Sequence, residues 1–228
     1  PELLFAGIHN GLMVSLSGGQ NCVRAGSNLP PASVNEIKLN DGDLVLGTYG
    51  RGIMIMDDIG FLARITDDVI MSAAHLFPLR ETEQFYRNNR AMSNKAARFA
   101  GPNPEYGALI TYYLKDGPAE TLEAPAEGAP DTDDEATAEP QVTIQILDAA
   151  DAVIREIPGP DRQGYNRVAW DLRKRIEPEE GESQESPRRR GPPMEDVEPG
   201  TYTVKLVVRG MELVQTVTVV PDKRLQDR

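Results

Sequence analysis

Short apolar alternations that end every four to seven residues on glycine, asparagine or proline constrain this chain more than any other feature of its sequence. Such a cadence leaves no window in which a long amphipathic helix could repeat at 3.6 residues, and it dictates strands joined by tight turns. In the first sixty residues we read strands at Leu3–Ile8, Leu12–Leu16, Cys22–Ala25, Val34–Leu39, Leu44–Tyr49 and Ile53–Met56. The turns between them are His9-Asn10-Gly11, Ser17–Asn21, Asn40-Asp41-Gly42 and Gly50-Arg51-Gly52, with Pro30-Pro31 ahead of the fourth strand. A propeller blade is four such strands, so six make about one and a half blades.

The carboxy-terminal half alternates in the same way over Ala108–Leu114, Val142–Leu147, Ala152–Ile157, Asn166–Leu172, Gly200–Val208 and Met211–Val219. In Val142–Ile146 the apolar side chains fall on one face, and Tyr202, Val204, Leu206 and Val208 repeat the pattern. Arg209-Gly210 reads as the turn of the last hairpin, and Trp170 as a core anchor. About 120 residues with six or seven strands fit a β-sandwich. The expected class is therefore all-β: a partial propeller at 1–60, a connector at 61–100 and a sandwich at 101–228. Within the connector, Thr66-Asp67-Asp68 caps a short helical turn, with Ile70, Met71, Leu76 and Phe77 as the residues that dock it.

Charge narrows the function classes. The chain carries 36 acids against 24 Lys and Arg, a formal charge of −12. Nine of those acids, and no base, lie in 116–140 among four prolines, so the rest is left at 27 acids against 24 bases, a net of −3. We read 116–140 as a flexible insertion that cannot bury enough surface to offset its ordering entropy. A second insertion, 173–199, combines an acidic run with Arg188–Arg190 and five prolines. Acidity on this scale argues against nucleic acid and anionic membrane as partners. No run of 18 apolar residues is present to span a bilayer. The single Cys22 excludes an internal disulfide, and His9 and His75 are too far apart in sequence to suggest a metal-ligand pair. Neither a phosphate-cradling glycine loop nor a nucleophile-plus-base pattern occurs, so no catalytic, cofactor or metal residue is assigned.

Four segments carry a resemblance. Ser15-Leu16-Ser17-Gly18-Gly19-Gln20-Asn21-Cys22 resembles the Asp-box, the S-x-D-x-G-x-T-W turn of BNR repeats; Ser15 and Gly19 match, while Ser17, Asn21 and Cys22 replace Asp, Thr and Trp. The run from Leu44 to Asp58 is similar to the segment that ends the propeller of bacterial BNR-repeat, sortilin-like proteins, which are often described as glycosyl-hydrolase-like. His75-Leu76-Phe77-Pro78 is similar to the link from propeller to carboxy-terminal domain in the same family, and Pro199-Gly200-Thr201-Tyr202 to a late strand of immunoglobulin or fibronectin-III sandwiches. The resemblance implies an exported protein, periplasmic or extracellular, built from a propeller and an Ig-like domain. Its strand pattern starts within three residues of Pro1, so we expect the chain to begin inside a larger propeller.

Two functions follow from it. One is a non-catalytic interaction or scaffolding module that docks onto other protein subunits or onto further propeller blades, including subunits of a membrane complex. The other is the tail of a glycosidase-like hydrolase whose active site lies in upstream blades, with carbohydrate as ligand. The three-arginine cluster and Tyr–Glu pair of sialidases have no counterpart in these blades, which offer Arg24 and Arg51. The first function is therefore preferred. Candidate binding residues are Arg51, Asp57 and Asp58: either Arg51 gathers a ligand at a propeller rim, or it pairs with one of the two aspartates to fix the last blade.

Overall fold

The structure is a computed structural model that describes residues 2–26, 29–85, 105–117, 141–176 and 193–222. Among the described residues the protein is all-β apart from one 3-10 turn and one short helix. The chain divides into two compact units, Pro1–Ile70 and Met71–Arg228. Most of the acidic insertion, the middle of 173–199, and residues 86–104 at the end of the expected connector lie outside the described residues.

In the first unit, strands β1 (Leu4–Ile8), β2 (Gly11–Ser15) and β3 (Val23–Ala25) form one antiparallel meander. Strands β4 (Val34–Asn40), β5 (Asp43–Thr48) and β6 (Gly52–Met56) form another. Each strand lies within a residue or so of its expected place, because turn chemistry set the boundaries. Asp41 and Gly42 adopt φ of 48° and 85°, the two left-handed residues that a two-residue hairpin needs. The first hairpin departs from expectation. Its loop is His9-Asn10, with Ile8 opposite Gly11, and the Arg24 guanidinium donates across it to the Asn10 carbonyl at 2.7 Å.

Both meanders contribute to one core: Leu12, Val14, Ala25, Val34, Leu44, Leu46 and Ile59, with Phe5, Met54 and Met56 packed against it. The sheets approach closely at Gly7, where an added Cβ would lie 2.4 Å from the Val34 carbonyl oxygen. Any larger residue there would force β1 off β4.

The second unit is built of two sheets that share a core. One sheet runs β11 (Val153–Pro158), β10 (Val142–Leu147), β15 (Gly200–Val208), β16 (Met211–Pro221), β8 (Thr82–Gln84). The other runs β12 (Gly164–Trp170), β9 (Ala108–Leu114), β7 (Ala74–Leu76). Every pairing in these two sheets is antiparallel except β8 with β16. Ile110 and Leu114 of β9 meet Ile144 and Ile146 of β10, and Val204 and Leu206 of β15, in one buried cluster. Trp170 sits in it with no exposed surface, its Nε1–H donating to the Arg173 carbonyl at 3.0 Å and its ring edge-on to Tyr202.

Four short strands escape the sequence reading. β7 and β8 lie inside the segment expected to be a connector, yet both are members of the second unit's sheets. Within 173–199, expected to be an insertion throughout, β13 (Arg173–Arg175) pairs with β14 (Met194–Asp196). That ribbon carries the ion pairs Arg173–Asp196 at 3.0 Å and Lys174–Glu195 at 3.2 Å. The helix α1 (Asp67–Met71) forms where Thr66 was expected to cap, with the Val69 N–H 3.4 Å from Thr66 Oγ1. Of its expected docking residues, Leu76 and Phe77 are buried, whereas Ile70 and Met71 are exposed.

Candidate interaction surface

The sheet β4-β5-β6 carries the most exposed apolar side chains of the first unit. Its inward face is ordinary: Leu44 and Leu46 are fully buried, and Met54 and Met56 flank them. The outward face comes from the opposite parity. Ile53 stands across from Gly47, and Ile55 across from Val45, which in turn stands across from Lys38. Because Gly47 has no side chain, nothing on the neighbouring strand covers Ile53. Ile53 is 73% exposed and Ile55 57%. Tyr49, in the turn leading to β6, is 79% exposed, and Leu39 65%.

The two edges of this sheet differ. β4 interleaves Glu36 and Lys38 with its apolar residues and has a register shift between Val34 and Glu36. Charges and bulges of this kind are how natural sheets prevent further pairing. β6 reads Gly-Ile-Met-Ile-Met, with no charge, no proline and no bulge. It is the outermost strand of its sheet among the described residues.

Arg51, Asp57 and Asp58 do not come together. Arg51 is in the turn before β6 and the aspartates follow its other end, so five extended residues, roughly 17 Å, separate them. The ion pair between Arg51 and either aspartate is thus ruled out by strand geometry. Arg51 is exposed and makes no ion pair among the described residues. Asp58 instead takes a left-handed φ of 46° and gives its N–H to Asp43 Oδ1 at 2.8 Å, while the Ile59 N–H reaches the Gly42 carbonyl at 2.9 Å. These bonds fold the chain after β6 back against the β4–β5 turn and bury Ile59.

The turn that resembles an Asp-box is tied by hydroxyls. Ser15 Oγ is buried and accepts the N–H groups of Ser17 at 3.2 Å and Gly19 at 2.9 Å; Ser17 Oγ accepts that of Asn21 at 2.9 Å. Cys22 is exposed. These hydroxyls hold the loop.

His9 is exposed in its hairpin loop. His75 lies in β7 opposite Tyr113, 4.8 Å from the Phe77 ring, and burial holds its imidazole below the usual histidine range. Among the described residues no three His, Cys, Asp or Glu side chains are grouped to hold a metal, and no helix is long and apolar enough to cross a membrane.

The sequence held a signal for this surface that the strand reading did not use. A strand covered on one face alternates apolar with polar, whereas Ile53-Met54-Ile55-Met56 is apolar at both parities, the pattern of a strand covered on both faces. The structure covers one. No protein-family model matches the chain, and no curated protein matches it.

Proposed function

We propose that this chain is a non-catalytic protein-interaction module of an exported protein. In this reading the first unit is the closing part of a BNR-repeat, sortilin-like propeller, and the second an Ig-like sandwich that spaces or docks it. The partner is a β-sheet of another subunit, or of further blades, laid against the outward face of β4-β5-β6. Support for the propeller comes from two consecutive three-stranded meanders on a shared core and from the serine-tied turn at Ser15–Asn21. Support for the sandwich comes from the two sheets joined around Trp170.

One observation carries the proposal: the bare apolar pair Ile53 and Ile55 on a strand whose other face is core. Covering both is worth about 3 kcal/mol at the usual rate for aliphatic side chains, enough for a local contact to change affinity more than a hundredfold.

The test is the binding of an apolar fluorescent dye to the 228-residue chain and to I53K/I55K. Strong binding that the double substitution removes, with the melting temperature unchanged, is the expected result. Weak binding by the unsubstituted chain, or binding indifferent to the substitution, refutes the surface.

A further inference from the structure

We infer that the outward face of β4-β5-β6 packs against the same face of a second copy of this chain, about a two-fold axis that lies between the sheets and runs perpendicular to the strands. The inference rests on the interaction surface proposed above and names its occupant.

Strand register sets out two rows of residues on that face. Glu36, Gly47 and Ile53 stand side by side in one, and Lys38, Val45 and Ile55 in the other, two residues away on each strand. All six lie within the strands and have the parity opposite to that of Leu44 and Leu46. A Cβ added at Gly47 would have Glu36 Cβ as its nearest neighbour, at 3.3 Å. Gly47 and Glu36 therefore share the outward side, and the missing side chain leaves a hollow between Glu36 and Ile53. Glu36, Lys38, Ile53 and Ile55 are all exposed.

A two-fold axis midway between the rows lays each row over the other row of the second copy. Ile53 then meets Ile55, Glu36 meets Lys38, and the Val45 side chain enters the hollow at Gly47; each match occurs twice. A two-fold interface requires such reciprocity, in which residue i meets j and j meets i. Here it holds on three strands at once, as apolar against apolar, anion against cation, and side chain against vacancy. Turning the axis to run along the strands sets Glu36 over Ile53 and Lys38 over Ile55. That arrangement takes both charges out of water against hydrocarbon, a cost that excludes it. Aligned sheets pack through interleaved side chains, so the match covers the bare face and asks nothing of the sheet edges.

Size sets the strength. Three strands about 4.8 Å apart and about six residues long present a face of roughly 15 by 20 Å, so two copies bury on the order of 800 Å² in total. That is less than a standard stable interface, so the dimer is weak, with Kd on the order of 100 μM, and the face is bare in the dilute chain.

Sedimentation equilibrium of the 228-residue chain between about 5 and 500 μM tests it. A monomer–dimer equilibrium is expected. E36K sets lysine against lysine twice and weakens the dimer about tenfold, whereas E36K/K38E, which exchanges the two charges, recovers to within about threefold of the original. G47V fills the hollow and weakens the dimer at least tenfold, and V45G/G47V, which moves the hollow to the other row, restores it. Should G47V disturb folding by circular dichroism, the charge exchange decides alone. A chain that stays monomeric at 500 μM, or a dimer that E36K leaves unchanged, overturns the inference. Strong dye binding by such a monomer, removed by I53K/I55K, leaves the interaction surface standing and removes only the second copy as its occupant.

Discussion

Replacing Trp170 by alanine tests how the second unit is held together. The indole is wholly buried, takes its place in a cluster drawn from both sheets and donates to the Arg173 carbonyl. A buried Trp removes up to about 250 Å² from water, which at about 25 cal/mol/Å² sets a ceiling near 6 kcal/mol. Aromatic truncations in cores cost about 3–5 kcal/mol, and stranding the Arg173 carbonyl adds about 1 kcal/mol. We take about 4 kcal/mol, which with a urea slope of about 2 kcal/mol/M lowers the midpoint by about 2 M. W170F keeps most of the ring volume but no donor, and is expected to lower it by about 0.5 M. Trp170 is the sole tryptophan, so unfolding is followed by far-ultraviolet circular dichroism. Midpoints for W170A within about 0.3 M of the original would mean that the ring is not the shared anchor of the two sheets, and the core described above would be misplaced.

Three further outcomes are expected. S15A removes the acceptor of two backbone N–H groups and costs the first unit about 1–2 kcal/mol, with amide exchange at Ser17 and Gly19 accelerating; unchanged protection there contradicts the hydroxyl tie. G107A is more severe, because Gly107 has φ of 115° and its added Cβ would lie 1.8 Å from the Trp170 carbonyl oxygen; a loss of at least 3 kcal/mol in urea unfolding is expected, and near-neutrality refutes the approach. Burial depresses His75 below its unfolded value of 6.5, so the stability it contributes is present above pH 6.5 and is lost as pH falls through the lower, folded value. H75F should therefore flatten the fall in melting temperature as the pH drops below about 6.5, and parallel profiles for the two proteins would exclude His75 as its source.

Most strands were legible because their ends are written in turn chemistry. Asp41-Gly42 and Arg209-Gly210 take left-handed φ at both positions, and residues able to do so are few. Interior alternation was equally legible: Val142, Ile144 and Ile146 are fully buried and Thr143 and Gln145 are not. The strands β7, β8, β13 and β14 were not, since three residues are too few for a period to show. Their pairing comes from tertiary partners: Thr82–Gln84 lies alongside Val219–Pro221, more than 130 positions away. The expected pairing of Arg51 with Asp57 or Asp58 failed on distance, because proximity in sequence along an extended strand is separation in space. The surface itself was half legible. The apolar run at 53–56 announced a strand wanting cover on both sides, and only the fold reveals which side lacks it.

That bare side is best measured with a water-soluble paramagnetic agent and methyl-labelled isoleucines on the 228-residue chain. Strong relaxation of the Ile53 and Ile55 methyls, beside shielded methyls at Ile110, Ile144 and Ile146, is the expected result. Ile53 and Ile55 methyls as shielded as those three would contradict the interaction surface.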